Sequence, residues 1–387
     1  MRKWNALLAM ALAGTMLLTA CGGGDSKKET EAAATQEEEE MIVIGGAGAG
    51  GEQSSSSTEA LPTIEETEEE VVDEAPEGMY ASELTGEWID ESLQDQRPVA
   101  VMVDNDKVAL PHYGVSDVDI VYELINSTQN EGVTRWMVMV KDWANIKRLG
   151  SIRSTRPTNL VIYPEWNAVL CHDGGPYYND VYFKNPFTDH FSGTFSRIDN
   201  GKAREFTEYV VSGDLEKNFK NNPKVSQTYN EYYSGQPHYQ FASRTKPNDL
   251  SSYPDAKTCT KLTLPFHHNN PWMEYDESTK TYKYFQYGSA EKDAANGVQL
   301  SFTNVLLQNA VLQQLDDHGY MTYHPTASGR KGLYITNGKA IEVTWTKSND
   351  LDATRYYDSD GNEIKINVGK TYVGLIREEE WNNVEME

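Results

Sequence analysis

Residues 99–105 read VAVMVDN, and the pattern of that run recurs downstream. DVDIVYE (117–123), TRWMVMV (134–140) and AVLCHDGG (168–175) repeat it, with GSIRSTRP (150–157) on the connection before the last. Each apolar run is short, rich in β-branched residues and closed by a polar or charged group, as in a strand buried on both faces. The closing groups are Asp104 with Asn105, Glu123, and His172 with Asp173. Thr134 and Arg135 open the third run, and Arg153 and Arg156 punctuate the connection. Open α/β sheets place their sites where polar groups gather at strand ends. The candidate ligand-binding residues are therefore Asp104, Glu123, Arg135, Arg153, Arg156, His172 and Asp173.

Toward the N-terminus the chain changes character. Met1-Arg2-Lys3 is basic and Trp4–Leu18 is apolar. At about 15 residues this stretch is shorter than the ~20 that a transmembrane helix needs, and it has the form of a secretory signal. Leu18-Thr19-Ala20-Cys21 follows and resembles a lipoprotein processing site, in which the Cys thiol takes the lipid. Residues 1–20 thus read as a lipoprotein signal peptide and Cys21 as the lipidated start of an extracytoplasmic protein anchored to the bacterial cell membrane. Residues 21–85 complete the anchor as a disordered acidic tether. Between Asp25 and Glu83 there are 18 acidic residues against Lys27 and Lys28. Such a segment buries too little apolar surface to offset its chain entropy, and as a flexible coil it spans on the order of 45 Å. Much of the formal charge of −25 lies there. The rest of the chain is acidic too, which argues against nucleic acid as a partner. The run GGAGAGG at 45–51 mimics a dinucleotide fingerprint, but serines and acids follow it where a helix is required.

Toward the C-terminus the pattern becomes one of strands alone. Residues 261–266, 272–275, 282–287, 298–307, 320–323 and 371–376 alternate or run apolar. Asn337-Gly338 and Asp360-Gly361 are hairpin signals, the second joining 355–357 to 363–366. Asp358, Asp360 and Asn362 mimic a calcium loop, but Gly361 falls at position four where that loop needs its Gly at six. Before this region, residues 157–166 read as a short helix, and Phe206, Val210, Leu215 and Phe219 give a helical spacing over 204–219. The prediction is an α+β fold. An N-terminal mixed α/β sheet domain spans 86–243, and a mainly antiparallel β domain spans 244–387.

RPVAVMVDN (97–105), GVSDVDIVYE (114–123), EGVTR (131–135), GSIRSTRP (150–157) and HDGG (172–175) together resemble the YerB-like lipoproteins. The likeness continues through YDESTKTYKY (275–284), VQLSFTNVLL (298–307), GLYITNGKAIEVTW (332–345) and YYDSDGNEIKINVGKTYVGLI (356–376). The resemblance implies two domains of mixed α and β structure on a membrane anchor, and it implies no chemistry. The chain departs from it at Arg204-Glu205-Phe206-Thr207, where relatives carry a run like Pro-His-Asn-Leu, so no role of that His transfers here.

Two guanidiniums three residues apart, beside Gly150 and Pro157, suit a phosphate, sulfate or carboxylate. The same arginines also suit Asp104, Glu123 and Asp173 as partners in a structural network. The acids and His172 carry acid–base potential, but no GxSxG, HExxH, CxxC or P-loop accompanies them, so neither a metal nor a cofactor is expected. Cys171 and Cys259 read as small buried side chains, although a disulfide is open to them outside the membrane. Tyr177, Tyr178, Tyr182, Phe183, Phe187, Phe191, Tyr229, Tyr232, Tyr233 and Tyr239 suit either a glycan groove or packing between the domains. The functional expectation is an envelope protein binding an anionic or glycan-containing ligand, such as a phosphate-bearing polymer. The alternatives are an envelope enzyme acting on phosphate-linked glycopolymer and a protein–protein interaction module.

Overall fold

The computed structural model describes residues 73–387. The signal, Cys21, the Gly-rich run and most of the tether lie outside the described residues. Ordered structure starts earlier than the composition implies. Met79–Ala81 pairs with Trp88–Asp90, and Leu84 is fully buried.

The described chain is mostly β with few helices, and one 11-stranded sheet carries the runs singled out above. Its strands are β1 (Val99–Asp104), β2 (Ile120–Ile125), β3 (Thr134–Val140), β4 (Val169–His172), β5 (His190–Ser192), β6 (Lys257–Thr258), β7 (Asn304–Ala310), β8 (Ala327–Thr336), β9 (Lys339–Lys347), β10 (Arg355–Tyr357) and β11 (Thr371–Arg377). The order is β6-β9-β8-β7-β11-β2-β3-β1-β4-β5, with β10 also on β9. Every residue of β1, β2, β3, β4 and β7 is buried, which is why these segments read as unbroken apolar runs. The two halves of the chain share this sheet through β11 and β2, which pair in parallel from Thr371 opposite Ile120 to Gly374 opposite Glu123. The later half also contains the parallel pair β7–β11 among its antiparallel ones.

A second sheet is built from Lys261–Thr263, Trp272–Asp276, Thr281–Gln286, Ser289–Ala290, Ser301–Phe302 and Glu385–Met386. Its Tyr284 ring meets Trp136 of β3 edge-on at 5.5 Å and Tyr372 of β11 at 5.9 Å, so it covers the face of the large sheet that carries those two rings. Asn337 and Gly338 both take positive φ between β8 and β9, as the hairpin signal requires.

Two expectations fail. The 204–219 spacing is not one helix, because Glu208–Val211 is a strand paired with Arg148–Gly150 and separates the short 3-10 helix Arg204–Phe206 from α2 (Asp214–Asn221). Val210 and Val211 favour the extended chain, and Gly213, at φ +85°, breaks the run before α2. The Asp360-Gly361 turn forms, yet its flanks pair as strands only at the bridge of Tyr357 with Glu363, beside the ion pair of Arg355 with Glu363 at 2.9 Å. β10 pairs instead with β9, and Lys365–Ile366 pairs with Gln240–Phe241. Asp358 serves that turn, accepting the backbone N–H groups of Asp360 and Asn362. Helix α1 (Pro157–Ile162) begins as expected with Pro in its first turn, then tightens at Pro164.

Candidate functional site

β1 and β2 are both antiparallel to β3, and β1 is parallel to β4, so the C-terminal ends of β1, β2 and β4 share one edge of the sheet. Side-chain alternation then sorts the polar residues at that edge. Arg135 lies opposite both Asp104 and Leu124, whereas Glu123 lies opposite Trp136. Cross-strand partners point to the same face and sequence neighbours to opposite faces. Asp104 and Arg135 therefore share one face, and Glu123 looks out of the other, toward the second sheet.

The connection carrying Arg153 and Arg156 is threaded between strand ends. Asp104 N donates to Ser151 O and Arg153 N to Met102 O, at 2.9 and 3.0 Å, so residues 151–153 run alongside the end of β1. Asp173 N donates to Arg153 O and Thr155 N to Gly174 O, which seats the same segment against the end of β4. Gly150 is required at its start, since at φ +135° an added Cβ would stand 2.9 Å from Ile152 N.

Three guanidiniums converge there. Arg153 Nε is 3.0 Å from Asp104 Oδ2 without the alignment of a hydrogen bond, and Arg153 Nη1 reaches the exposed Glu205 at 2.7 Å. Arg135 donates from Nη1 to Asn126 Oδ1 (3.2 Å) and Ser154 O (2.7 Å). Among the described residues its nearest carboxylate contact, Nη2 to Asp104 Oδ1, is 3.8 Å, and its Nε has no partner. Arg156 donates from Nε to Asn126 O (3.3 Å) and from Nη1 to Thr155 O (2.9 Å). Among the described residues no carboxylate lies within ion-pair distance of it, although it is only 6% exposed. Burial, opposed by the Asp104 carboxylate, lowers the Arg135 pKa to about 10. Burial together with the neighbouring Arg135 charge takes Arg156 down to about 9. Among the described residues the cluster holds one buried carboxylate for three cations, Arg135 Nε has no acceptor, and Arg153 Nε has only the misaligned Asp104 Oδ2.

The other candidates lie apart from it. Glu123 is fully buried and satisfied by neutral donors. Asn105, Thr134 and Asn269 donate to its Oε1 at 3.2, 2.8 and 2.7 Å, and Tyr284 and Tyr372 to its Oε2 at 2.7 and 2.8 Å. His172 hydrogen-bonds Gly174 O (2.7 Å) and the His190 ring (2.9 Å), and burial lowers its pKa to about 4, which keeps it neutral. Asp173 pairs with Arg197, whose Nη2 also reaches Glu208, at 2.7 and 2.5 Å. Burial, and then the hydrogen bond shared with Asp173, raises Glu208 to about 7. Asp173 itself is held below its usual range by Glu208 and Arg197 against its own burial.

Arg197, Glu208 and Asn126 carry no local sequence signal, and neither does the buried ion pair of Glu165 with Lys347 at 2.9 Å. Cys171 and Cys259 are free, buried thiols. The aromatic residues divide. Phe191 and Tyr239 are core, Tyr229 stacks on Tyr233 at 3.8 Å, and Tyr177 stands in solvent. A cleft of about 1050 Å³ elsewhere is lined by Trp88, Phe241, Arg244, Asn248 and Tyr253, and its Arg244 is occupied by Asp73 and the Trp88 ring.

The comparisons with known proteins agree with one another. Residues 84–229 match the family described as "Protein of unknown function (DUF3048) N-terminal domain", and residues 262–373 match its C-terminal domain. The chain is 24% identical over 305 residues to the protein of Bacillus subtilis (strain 168) named "Putative lipoprotein YerB", covering 76% of this chain and 85% of the relative. The crystal structure of the YerB protein from Bacillus subtilis superposes with a TM-score of 0.66 at 20% identity, over 80% of this chain and 99% of that one, and so shares the fold. With both domains matched in order over more than half of its length, the chain belongs to the two-domain DUF3048 family of proteins of unknown function.

Proposed function

We propose that this is a lipid-anchored protein of the cell envelope that binds a phosphate-bearing polymer through Arg135, Arg153 and Arg156. Two observations support the anchor: the Leu18-Thr-Ala-Cys21 signal and the name of the Bacillus subtilis relative. Mass spectrometry of the mature N-terminus tests it. A lipid on Cys21 is expected, and an unmodified Cys21 in the wild-type protein rules the anchor out.

The observation that carries the binding reading is Arg156, 6% exposed and without a carboxylate partner among the described residues, next to the equally buried Arg135. Burying guanidiniums without counter-charge is costly, and a bound dianion offsets that cost with charge-assisted hydrogen bonds. Asp104 alone cannot, being shared between Arg153 and Arg135. The ligand's phosphate would take the unfilled donors of Arg135 and Arg156, while Arg153, 22% exposed at its side chain, faces the approach.

Calorimetric titration of the full-length protein with inorganic phosphate and with a phosphate-bearing envelope glycan is the direct test. Arg156→Gln is expected to weaken binding by about 1.5–3 kcal/mol, the value of a charge-assisted hydrogen bond. Binding is also expected to weaken as salt is added. Heat of binding absent from the wild type for both ligands would defeat the reading.

A further inference from the structure

Beside the arginines the surface carries aromatic rings that core packing does not use. On the turn Tyr177–Lys184, Tyr177 is 69% exposed and Val181 62%. The Tyr177 ring lies 4.1 Å from that of Tyr178, and Tyr178 meets Tyr320 edge-on at 6.4 Å. The guanidinium of Arg156 in turn sits 4.8 Å from the centre of the Tyr320 ring. The rings thus run without interruption from the buried cation to open surface.

They are held in place from both halves of the chain. Tyr178 OH donates to Leu315 O and Asp316 Oδ2, at 3.3 and 3.2 Å. Thr128 N donates to Gly319 O at 3.0 Å, where the close approach of the two loops leaves no room for a side chain on Gly319. A platform of this kind has a chemical preference. One face of a hexose is a patch of C–H groups, complementary to the negative face of an aromatic ring, while its rim of hydroxyls suits an exposed carboxylate such as Asp180. At the inner end of the run the unfilled charge is positive, so the ligand that fits both ends is anionic there and apolar-faced beyond.

We propose that the arginines and this run of tyrosines form one elongated site for an oligosaccharide with a terminal phosphate. The phosphate sits at Arg135 and Arg156, and the sugars stack outward over Tyr320, Tyr178 and Tyr177. The inference rests on the anion reading above and adds the class and the direction of the ligand.

The experiment titrates the full-length protein with inorganic phosphate, and with a short hexose oligosaccharide bearing one terminal phosphate. The oligosaccharide ester is expected to bind the wild type about tenfold more tightly, the scale of a well-made ring contact. Tyr177→Ala should remove most of that gain and leave inorganic phosphate binding unchanged, while Arg156→Gln should weaken both ligands alike. Equal affinity of the wild type for the two ligands overturns the platform and leaves the anion site standing. Loss of inorganic phosphate binding in Tyr177→Ala overturns it as well, by showing that the ring supports the arginines instead. No binding of either ligand overturns the anion site and the platform together.

Discussion

Two buried charge clusters sit at one edge of the large sheet, separated by a single step of side-chain alternation. On one face Glu123 receives five hydrogen bonds, from donors on β3, β11, the second sheet and two loops, and nothing is left over. On the other face Arg135 and Arg156 are buried to a similar degree, yet they share backbone carbonyls, one Asn and part of one carboxylate. A charge that the fold satisfies completely holds the fold together. A charge that the fold buries and leaves short of acceptors is instead the place where the proposed ligand would supply the counter-charge. The two clusters differ in how far the fold satisfies them rather than in residue type, since both are charges at strand ends.

Glu123→Leu strands its donors in a dry core, and a loss of about 3–5 kcal/mol is expected in urea denaturation. If the variant lost less than about 1 kcal/mol, the Glu123 cluster would not be the brace described.

The smaller effect is the more telling. Arg156→Met removes a buried cation that has no counter-ion among the described residues and keeps most of the side-chain volume. Stability of the unliganded protein is expected within about 1 kcal/mol of wild type, or above it. A drop comparable to that of Glu123→Leu would place Arg156 among the structural charges, and the asymmetry between the two faces would vanish.

The strands around this edge were legible because burial on both faces leaves an unbroken apolar run, and VAVMVD and TRWMVMV need no partner to be recognised. Grouping Arg135, Arg153, Arg156 and Asp104 was possible for the same reason, as each lies at or beside such a run. Separating Glu123 from them was not. Its face depends on which residue of β3 lies opposite it, and register is a property of two strands. Arg197 and Glu208 were invisible for a related reason, since their pairing with Asp173 arises from a small sheet assembled across a gap in sequence. The helical spacing over 204–219 misled because four apolar residues fit a period of 3.6 by chance, while Val210-Val211 and Gly213 already argued for a strand and a stop.

The position of β11 has a consequence for how the molecule is made. A chain that emerges N-terminus first delivers β1 to β5 long before Thr371–Arg377 appears, yet β2 has no neighbour on its outer side until that strand arrives. Three of the donors to Glu123, Asn269, Tyr284 and Tyr372, arrive late as well. A sheet formed from the early half alone would present the open β2 edge, the kind of surface on which β-rich intermediates associate wrongly. Closure therefore waits for nearly the whole polypeptide. Pairings so distant in sequence make for slow folding.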